Sequence, residues 1–291
     1  GQENWEAAES ELQRRAAGLA MEDGGIGREK IRYLFAGDLL GQLIATSFGV
    51  MGYGIPMFGL YGACSTMGES MSLAAAMVDA GNADYAMAMA SSHFASAEKQ
   101  FRFPLAYGNQ RPYSATWTVT GCGAVIVGTS GDYARITGVT TGRIVDYGIK
   151  DSMNMGAAMA PAAADTIQQN LADFQISPSY YDKIITGDLG TVGQKLVIEL
   201  LAEKGVDIAD LHMDCGIEIF DPKTQDTHAG GSGCGCSAVT LCGMILKKLR
   251  DGEWKRVLFV PTGALLSSTS FNEGQSVPGI AHGVMLETVC Q

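Results

Sequence analysis

The sequence predicts an α/β fold made of two duplicated halves, each built around a mainly parallel sheet, and three observations carry that expectation. First, residues 26–38, IGREKIRYLFAGD, and residues 176–188, ISPSYYDKIITGD, align without a gap 150 positions apart. Each reads as a turn, a polar run and a short apolar strand, at 33–36 and 184–186, followed by Gly-Asp-Leu. Second, a helical pattern precedes each copy. Third, strand-like and helix-like segments alternate throughout, the order expected when helices connect parallel strands. The halves divide as residues 1–132 and 133–291.

In chain order, the first half opens with a helix starting near residue 4, with Trp5, Ala8, Leu12 and Leu19 near one face. After the strand at 33–36, Gly62-Ala63-Cys64 opens a helix of small residues reaching to about residue 80, and Gly81 leads into a strand at 85–89. Residues 93–117 show no clear periodicity, and a loop this long inside a compact domain usually binds or covers something. A late strand follows at 123–127. The second half starts with a strand-like prelude, 134–149, rich in Val, Ile and Thr. A helix near residue 162 then places Ile167, Leu171 and Phe174 on one face. After the strand at 184–186, the glycine-rich 231–235 opens a helix to about residue 249, with strands at 256–260 and 283–286. Only the second half has the prelude. The repeat logic therefore predicts that roughly 30 or more upstream residues, including one strand, belong to the native protein.

Composition narrows the function classes. The chain of 291 residues is 46% hydrophobic and 18% charged, enough for a substantial core and unlike a disordered chain. A net charge of −11 argues against a broad nucleic-acid surface, which needs clustered Lys and Arg, but leaves room for a local anion pocket. No apolar run is long enough to span a membrane; 152–165 comes nearest and is broken by Asn154, Pro161 and Asp165. The first residues carry no signal-peptide pattern. The 7 cysteines, odd in number and without a CxxC pair, argue against a disulfide framework or a zinc site, and for a reducing, intracellular compartment. The 38 glycines are nearly twice ordinary usage and call for a structural reason.

Four features could carry chemistry. In Leu60-Tyr61-Gly62-Ala63-Cys64-Ser65-Thr66 a cysteine sits at a helix entry, where backbone N–H groups and the helix dipole lower a thiol's pKa and prepare it to attack a carbonyl. A small buried packing cysteine is the alternative. In Thr227-His228-Ala229-Gly230-Gly231-Ser232-Gly233 an imidazole precedes a glycine-rich helix entry, expected opposite Cys64 across the pseudo-twofold. That His is either a catalytic partner or a hydrogen-bonded structural residue. Asp38 and Asp188, in the repeated Gly-Asp-Leu, fall just past strand C-termini, where α/β sheets place ligands, and either could instead cap the following helix. Finally, His93, Lys99, Arg102 and Arg111 gather around Phe101, Phe103, Tyr107, Tyr113 and Trp117. Guanidinium forks and ring faces together suit a planar aromatic anion; a lid pinned by local salt bridges is the other reading.

The duplicated halves, the cysteine at a helix entry and the His-x-x-Gly motif resemble the thiolase and ketoacyl-synthase superfamily. The stretches AGDLL, GLYGACST, SSHFASAEKQFRFP, TVTGCGAVIV, NMGAAMAPAAADT, TGDLG, HAGGSGCGCSA and TGALLS, spanning 36–267, more specifically resemble the stage V sporulation protein AD family. The resemblance implies a five-layer αβαβα fold and a role in endospore-forming bacteria: binding dipicolinic acid, or its calcium chelate, and helping to load it into the developing spore. It implies membrane-protein partners from the same sporulation system, a peripheral place at the forespore inner membrane, and a homodimer formed through the strand before Cys64. No resident cofactor is implied; Ca²⁺ would arrive only with the ligand. Cys64 matches the superfamily nucleophile and His228 the His of the Gly-His-x-x-Gly motif, with Thr227 in place of its first Gly. Asp188 stands where condensing enzymes carry a second His or thiolases an Asn, and Thr262-Gly263-Ala264 where thiolases carry a second cysteine. An ionised Asp beside Cys64 disfavours the thiolate and cannot donate to an oxyanion.

The reading is therefore a thiolase-fold binding protein that has lost catalysis. Cys64, Asp188 and His228 form the pocket floor, and His93, Lys99, Arg102 and Arg111 contact ligand carboxylates. The competing reading is a working condensing or thiolytic acyltransferase using Cys64 and His228 on an acyl thioester; a third is a scaffold with a vestigial pocket.

Overall fold

In the computed structural model, residues 1–101 and 110–289 are described. The first half runs α1 (Trp5–Gly24), β1 (Ile31–Gly37), α2 (Ile44–Val50), β2 (Met57–Gly59), α3 (Thr66–Asp79), β3 (Tyr85–Ser92), α4 (Phe94–Phe101), β4 (Trp117–Thr118) and β5 (Gly121–Gly128). The second runs β6 (Arg135–Thr140), α5 (Met155–Asp173), β7 (Lys183–Thr186), α6 (Gly190–Ala202), β8 (His212–Asp214), α7 (Cys215–Glu218), β9 (Gly231–Ser232) and α8 (Cys234–Thr240). A π turn, Leu241–Ile245, joins α8 to α9 (Leu246–Arg250), and β10 (Arg256–Val260), β11 (Thr262–Ala264), α10 (Ser268–Asn272), β12 (Gly279–Ala281) and β13 (Gly283–Glu287) follow.

Two sheets correspond strand for strand. The first has the order β2-β1-β3-β5 and the second β8-β7-β10-β13-β6. In each, the three strands up to the late one are parallel and the late strand, β5 or β13, is antiparallel. The prelude supplies β6, which pairs antiparallel with β13; among the described residues the first sheet has no such fifth strand. α1 and α2 cover the outer face of the first sheet, and α5 and α6 that of the second, while α3 and α8 lie between the sheets. That gives five layers, αβαβα. The central layer is tight because many of its residues are small: Ala74 of α3 and Ala86, Ala88 and Ala90 of β3 share one buried cluster with Cys234, Cys236 and Ala238 of α8, and Met67 and Met71 fill the space between them.

Three expectations need correction. α1 does not bury Trp5 and Leu19, which are 44% and 60% exposed; its deeply buried residues are Glu9, Gln13 and Ala17. The helix docks on hydroxyls presented by β3 and α2, so polar side chains at i and i+4 do the docking. Gln13 Nε2 donates to Thr46 Oγ1 and Ser91 Oγ, each at 2.8 Å, and Ser91 Oγ donates to Glu9 Oε1 at 2.8 Å. Second, the start of 93–117 is a helix, α4, whose first N–H is held by Thr120 Oγ1 at 2.9 Å. Its short stretch of buried contact is too brief to register as periodicity. Third, α5 starts at Met155 and carries Pro161 inside it, buried among alanines that leave the ring room.

Candidate functional site

The C-terminal ends of the parallel strands and the N-termini of α3 and α8 converge where the halves meet. Cys64 lies in the tight turn Ala63–Ser65 that leads into α3, with Ala63 at φ +48°. Ser65 N and Oγ both donate to the Gly62 carbonyl, at 3.0 and 2.7 Å, and Thr66 Oγ1 donates to the Ala63 carbonyl at 2.7 Å. Gly263 of β11 rests directly on this turn: a Cβ there would stand 2.3 Å from Gly62 O. A glycine is required because backbone meets backbone.

Asp188 is buried and reaches the same point from the end of β7. Its Oδ2 accepts from Gly233 N at 2.9 Å and its Oδ1 from Thr262 Oγ1 at 2.8 Å, and the Cys64 thiol is its third partner. Burial pushes this carboxyl up to about 7, against the lowering effect of those three donors. The Cys64 thiol is raised well above its ordinary value, first by burial, then by the charge of Asp188 and by Cys234. The helix-entry expectation of a lowered thiol pKa is thus reversed: the Gly233 N–H favours the thiolate, but desolvation and a neighbouring carboxyl outweigh it.

The twin Asp38 has a different role. Its carboxylate accepts from Leu40 N, Thr46 N and Thr46 Oγ1 at 2.8, 2.8 and 2.6 Å, so it organises the entry to α2. One sequence motif has diverged into a local cap and a residue of the inter-half seam.

A cavity of about 30 Å³, room for about one water, opens beside Cys64. Leu39, Tyr61 and Ala63 line it from one side; Ala97, Glu98 and Phe101 of α4 form another wall; Thr118, Met155, Ser232, Ala264 and Leu266 complete it. Tyr61 is 45% exposed and marks its outer rim.

Of the candidate site residues, Cys64 and Asp188 meet, with Thr262 beside them, whereas Arg111 and His228 meet elsewhere, through Asp226. His228 does not line this cavity. It sits at φ +52°, its Nδ1 2.9 Å from the Pro112 carbonyl and its Nε2 3.1 Å from Asp226 Oδ1, with the Tyr113 ring 5.1 Å away. His93 lies at the junction of β3 and α4, where burial lowers its pKa. Lys99 points outward, bonding Glu6 Oε1 at 2.9 Å over the Trp5 ring. Arg111 is buried, its guanidinium 4.1 Å over Trp117 and 2.8 Å from the Asp226 carbonyl. Arg102 lies outside the described residues.

Sequence reasoning missed Glu98, Thr118 and Ser232. Thr118 Oγ1 donates to Glu98 Oε1 at 3.0 Å, and Thr118 pairs with Ser232 where β4 meets β9. The charge reading of AEKQFR favoured its cations over the carboxylate, and the β4–β9 pairing joins residues from different halves. Among the described residues, no group of His, Cys, Asp and Glu could hold a metal ion, and no helix is long and apolar enough to cross a membrane.

With this geometry in place, comparison with known proteins is specific. The family model described as stage V sporulation protein AD matches residues 1–287. Stage V sporulation protein AD of Bacillus subtilis (strain 168) is 45% identical over 286 residues, covering 98% of this chain and 84% of that protein. Among solved structures, a Cys-to-Ser variant of Xanthomonas campestris OleA with bound lauric acid and lauroyl-CoA superposes with a TM-score of 0.67 at 16% identity, over 96% of this chain and 82% of that one. 3-Oxoacyl-[acyl-carrier-protein] synthase III from Aquifex aeolicus gives a TM-score of 0.61 at 14% identity, over 99% and 85%. At such identities the structural likeness establishes the thiolase-like fold alone. Sequence and fold together place the chain in the stage V sporulation protein AD family, on a thiolase-like scaffold.

Proposed function

We propose that this protein binds dipicolinic acid or its calcium chelate, without acyl-transfer chemistry, and serves uptake of that ligand into the developing spore. Family membership supports the sporulation role. The loss of catalysis rests on one observation: among the described residues, the thiol at the nucleophile position faces a buried carboxyl, Asp188, and no imidazole. A general base must reach the proton it removes, and His228 is committed to Pro112 and Asp226 instead.

A pyridine dicarboxylate is far larger than a 30 Å³ space, so the ligand enters with α4 displaced. Its two charges require matching cations or a bound Ca²⁺, since an unpaired buried charge costs several kcal/mol. His93, Lys99, Arg102 and Arg111 remain the candidate cations once α4 is displaced. Calorimetry with dipicolinate, with and without calcium, tests the proposal on wild type and on Arg111→Ala. Saturable heat in wild type, weakened at least tenfold in Arg111→Ala, is expected; absence of heat under both conditions removes the reading.

The same reading places the protein at the periphery of the forespore membrane, acting with membrane proteins of its system, and as a homodimer. β2 supports the dimer, because it is an edge strand with Met57 and Phe58 exposed, preceded by exposed Ile44, Phe48 and Met51. Natural proteins seldom leave such an edge uncovered. Met57→Lys is expected to shift the mass seen by light scattering from dimer to monomer with little change in far-ultraviolet circular dichroism. A wild type that is already monomeric overturns the dimer.

A further inference from the structure

We propose that the first two turns of α1 form a latch on α4, that α4 is the door of the Cys64 cavity, and that protonation of Glu9 holds the door shut. This deepens the binding reading by naming what controls access to the same cavity.

The two faces of α4 do different things. Ala97, Glu98 and Phe101 form a cavity wall, so movement of this helix widens the cavity. The other side is tied to α1. Ser96 Oγ lies 2.9 Å from Glu9 Oε2, and because that hydroxyl also reaches the His93 carbonyl at 3.1 Å it can accept the proton of a neutral Glu9. Lys99 Nζ bonds Glu6 Oε1 at 2.9 Å while lying 5.8 Å from the centre of the Trp5 ring. Three ties thus come from Trp5, Glu6 and Glu9, within five residues of α1. The base of α4 is pinned separately, by Phe94 stacking on Trp117 at 4.7 Å and by the bond from Phe94 N to Thr120 Oγ1. On the cavity face Glu98 Oε1 accepts from Thr118 N and Oγ1 at 3.3 and 3.0 Å, and a helix fixed at its base and held along its length by such polar contacts is suited to hinge.

Glu9 is the tie that responds to pH. It is 1% exposed, and burial pushes its carboxyl up to about 7 despite the bonds from Ser91 and Ser96. The charged groups around it reinforce this: Glu6 on its own helix and Asp38 at the end of β1 both raise it, and Cys234 of α8 and Cys122 of β5 also lie within its field. The nearby cation, Lys99, is engaged by Glu6, and burial lowers the pKa of His93 against the pull of Glu6. With α4 closed, Glu9 prefers its proton. With α4 lifted, water reaches the carboxylate and its pKa falls towards that of an ordinary glutamate. Raising pH from the ordinary glutamate range towards 7 therefore favours the open state, and above about 7 both states are ionised and the effect levels off.

Deuterium exchange followed by mass spectrometry, corrected for intrinsic rates, tests this without using dipicolinate, so its failure and that of the binding proposal are distinguishable. In wild type, amides 97–101 should exchange more than tenfold faster at pH 7 than at pH 5, with α5 amides unmoved. Glu9→Gln should abolish that rise. Glu6→Ala and Lys99→Ala, each removing a surface tie, should speed exchange of 97–101 by roughly threefold to tenfold at every pH. Methyl methanethiosulfonate labelling of the Cys64 peptide should follow the same order. If Glu9→Gln fails to fold, Ser96→Ala should still accelerate α4 locally. Exchange of α4 only in step with α5, or a pH-dependent rise that survives in Glu9→Gln, overturns the proposal.

Discussion

Asp188→Asn is expected to stabilise the protein at pH 8 and to give no gain at pH 4.5. Asp188 is buried and its carboxyl is raised from 3.8 to about 7, so folding favours its neutral form. A raised carboxyl contributes fully below its unfolded pKa, and that contribution is lost as pH rises through the folded value. At pH 8 the loss is complete and corresponds to roughly 4 kcal/mol as an order-of-magnitude ceiling. An amide keeps the acceptor for Gly233 N–H and carries no charge, so a net gain of about 1–3 kcal/mol is expected after the Thr262 hydroxyl is re-paired. Wild-type stability against pH will not reveal this directly. His212 and His282, pushed down to about 4 by burial, act with the opposite sign, favouring the folded state more as pH rises through that range. The difference between variant and wild type in urea melts at the two pH values isolates Asp188. An equal effect at both would show that its charge plays no part.

The second large effect concerns Cys64. At pH 8, iodoacetamide should modify the Cys64 peptide of the native protein at least about a hundredfold more slowly than in the urea-unfolded chain, and acyl-CoA should leave no thioester on it. Each unit of upward pKa shift removes tenfold of the reactive thiolate, and 6% exposure limits access further. Asp188→Asn should accelerate alkylation by less than tenfold, because burial, the larger cause, remains. Rapid acylation by acyl-CoA in the native protein would instead establish the acyltransferase reading. Thus the residue most suggestive of an enzyme becomes the sharpest test against one.

Much of the fold could be read from residues alone because duplication repeats the same local signals. The strand expected at 256–260 is β10, that at 184–186 is most of β7, and both late strands fall where the glycine and β-branched runs place them. The site was less legible. The repeated Gly-Asp-Leu marked Asp38 and Asp188 equally, and nothing local separates a cap on Thr46 from a carboxyl facing Cys64. His228 carried a motif, but its φ of +52° and its contact with the Pro112 carbonyl hold the ring against Pro112 and Asp226. The helical period of α1 favoured Leu19 over Gln13, because periodicity registers apolar side chains and the docking surface offered hydroxyls.

By itself, then, the sequence determined the two-sheet duplicated architecture, the family, and the placing of a cysteine at a helix entry. The glycine excess belongs to the same account: Gly263 against the Cys64 turn is glycine because two backbones touch there. Only the tertiary structure decided which charged groups meet. It turned Lys99 and Arg111 away from the cavity, brought Glu98 and Asp188 towards Cys64, and buried Glu9 behind α4. The physical reason is that secondary structure follows from neighbours along the chain. Ionisation and access follow from burial and from partners that only the packed halves bring within reach.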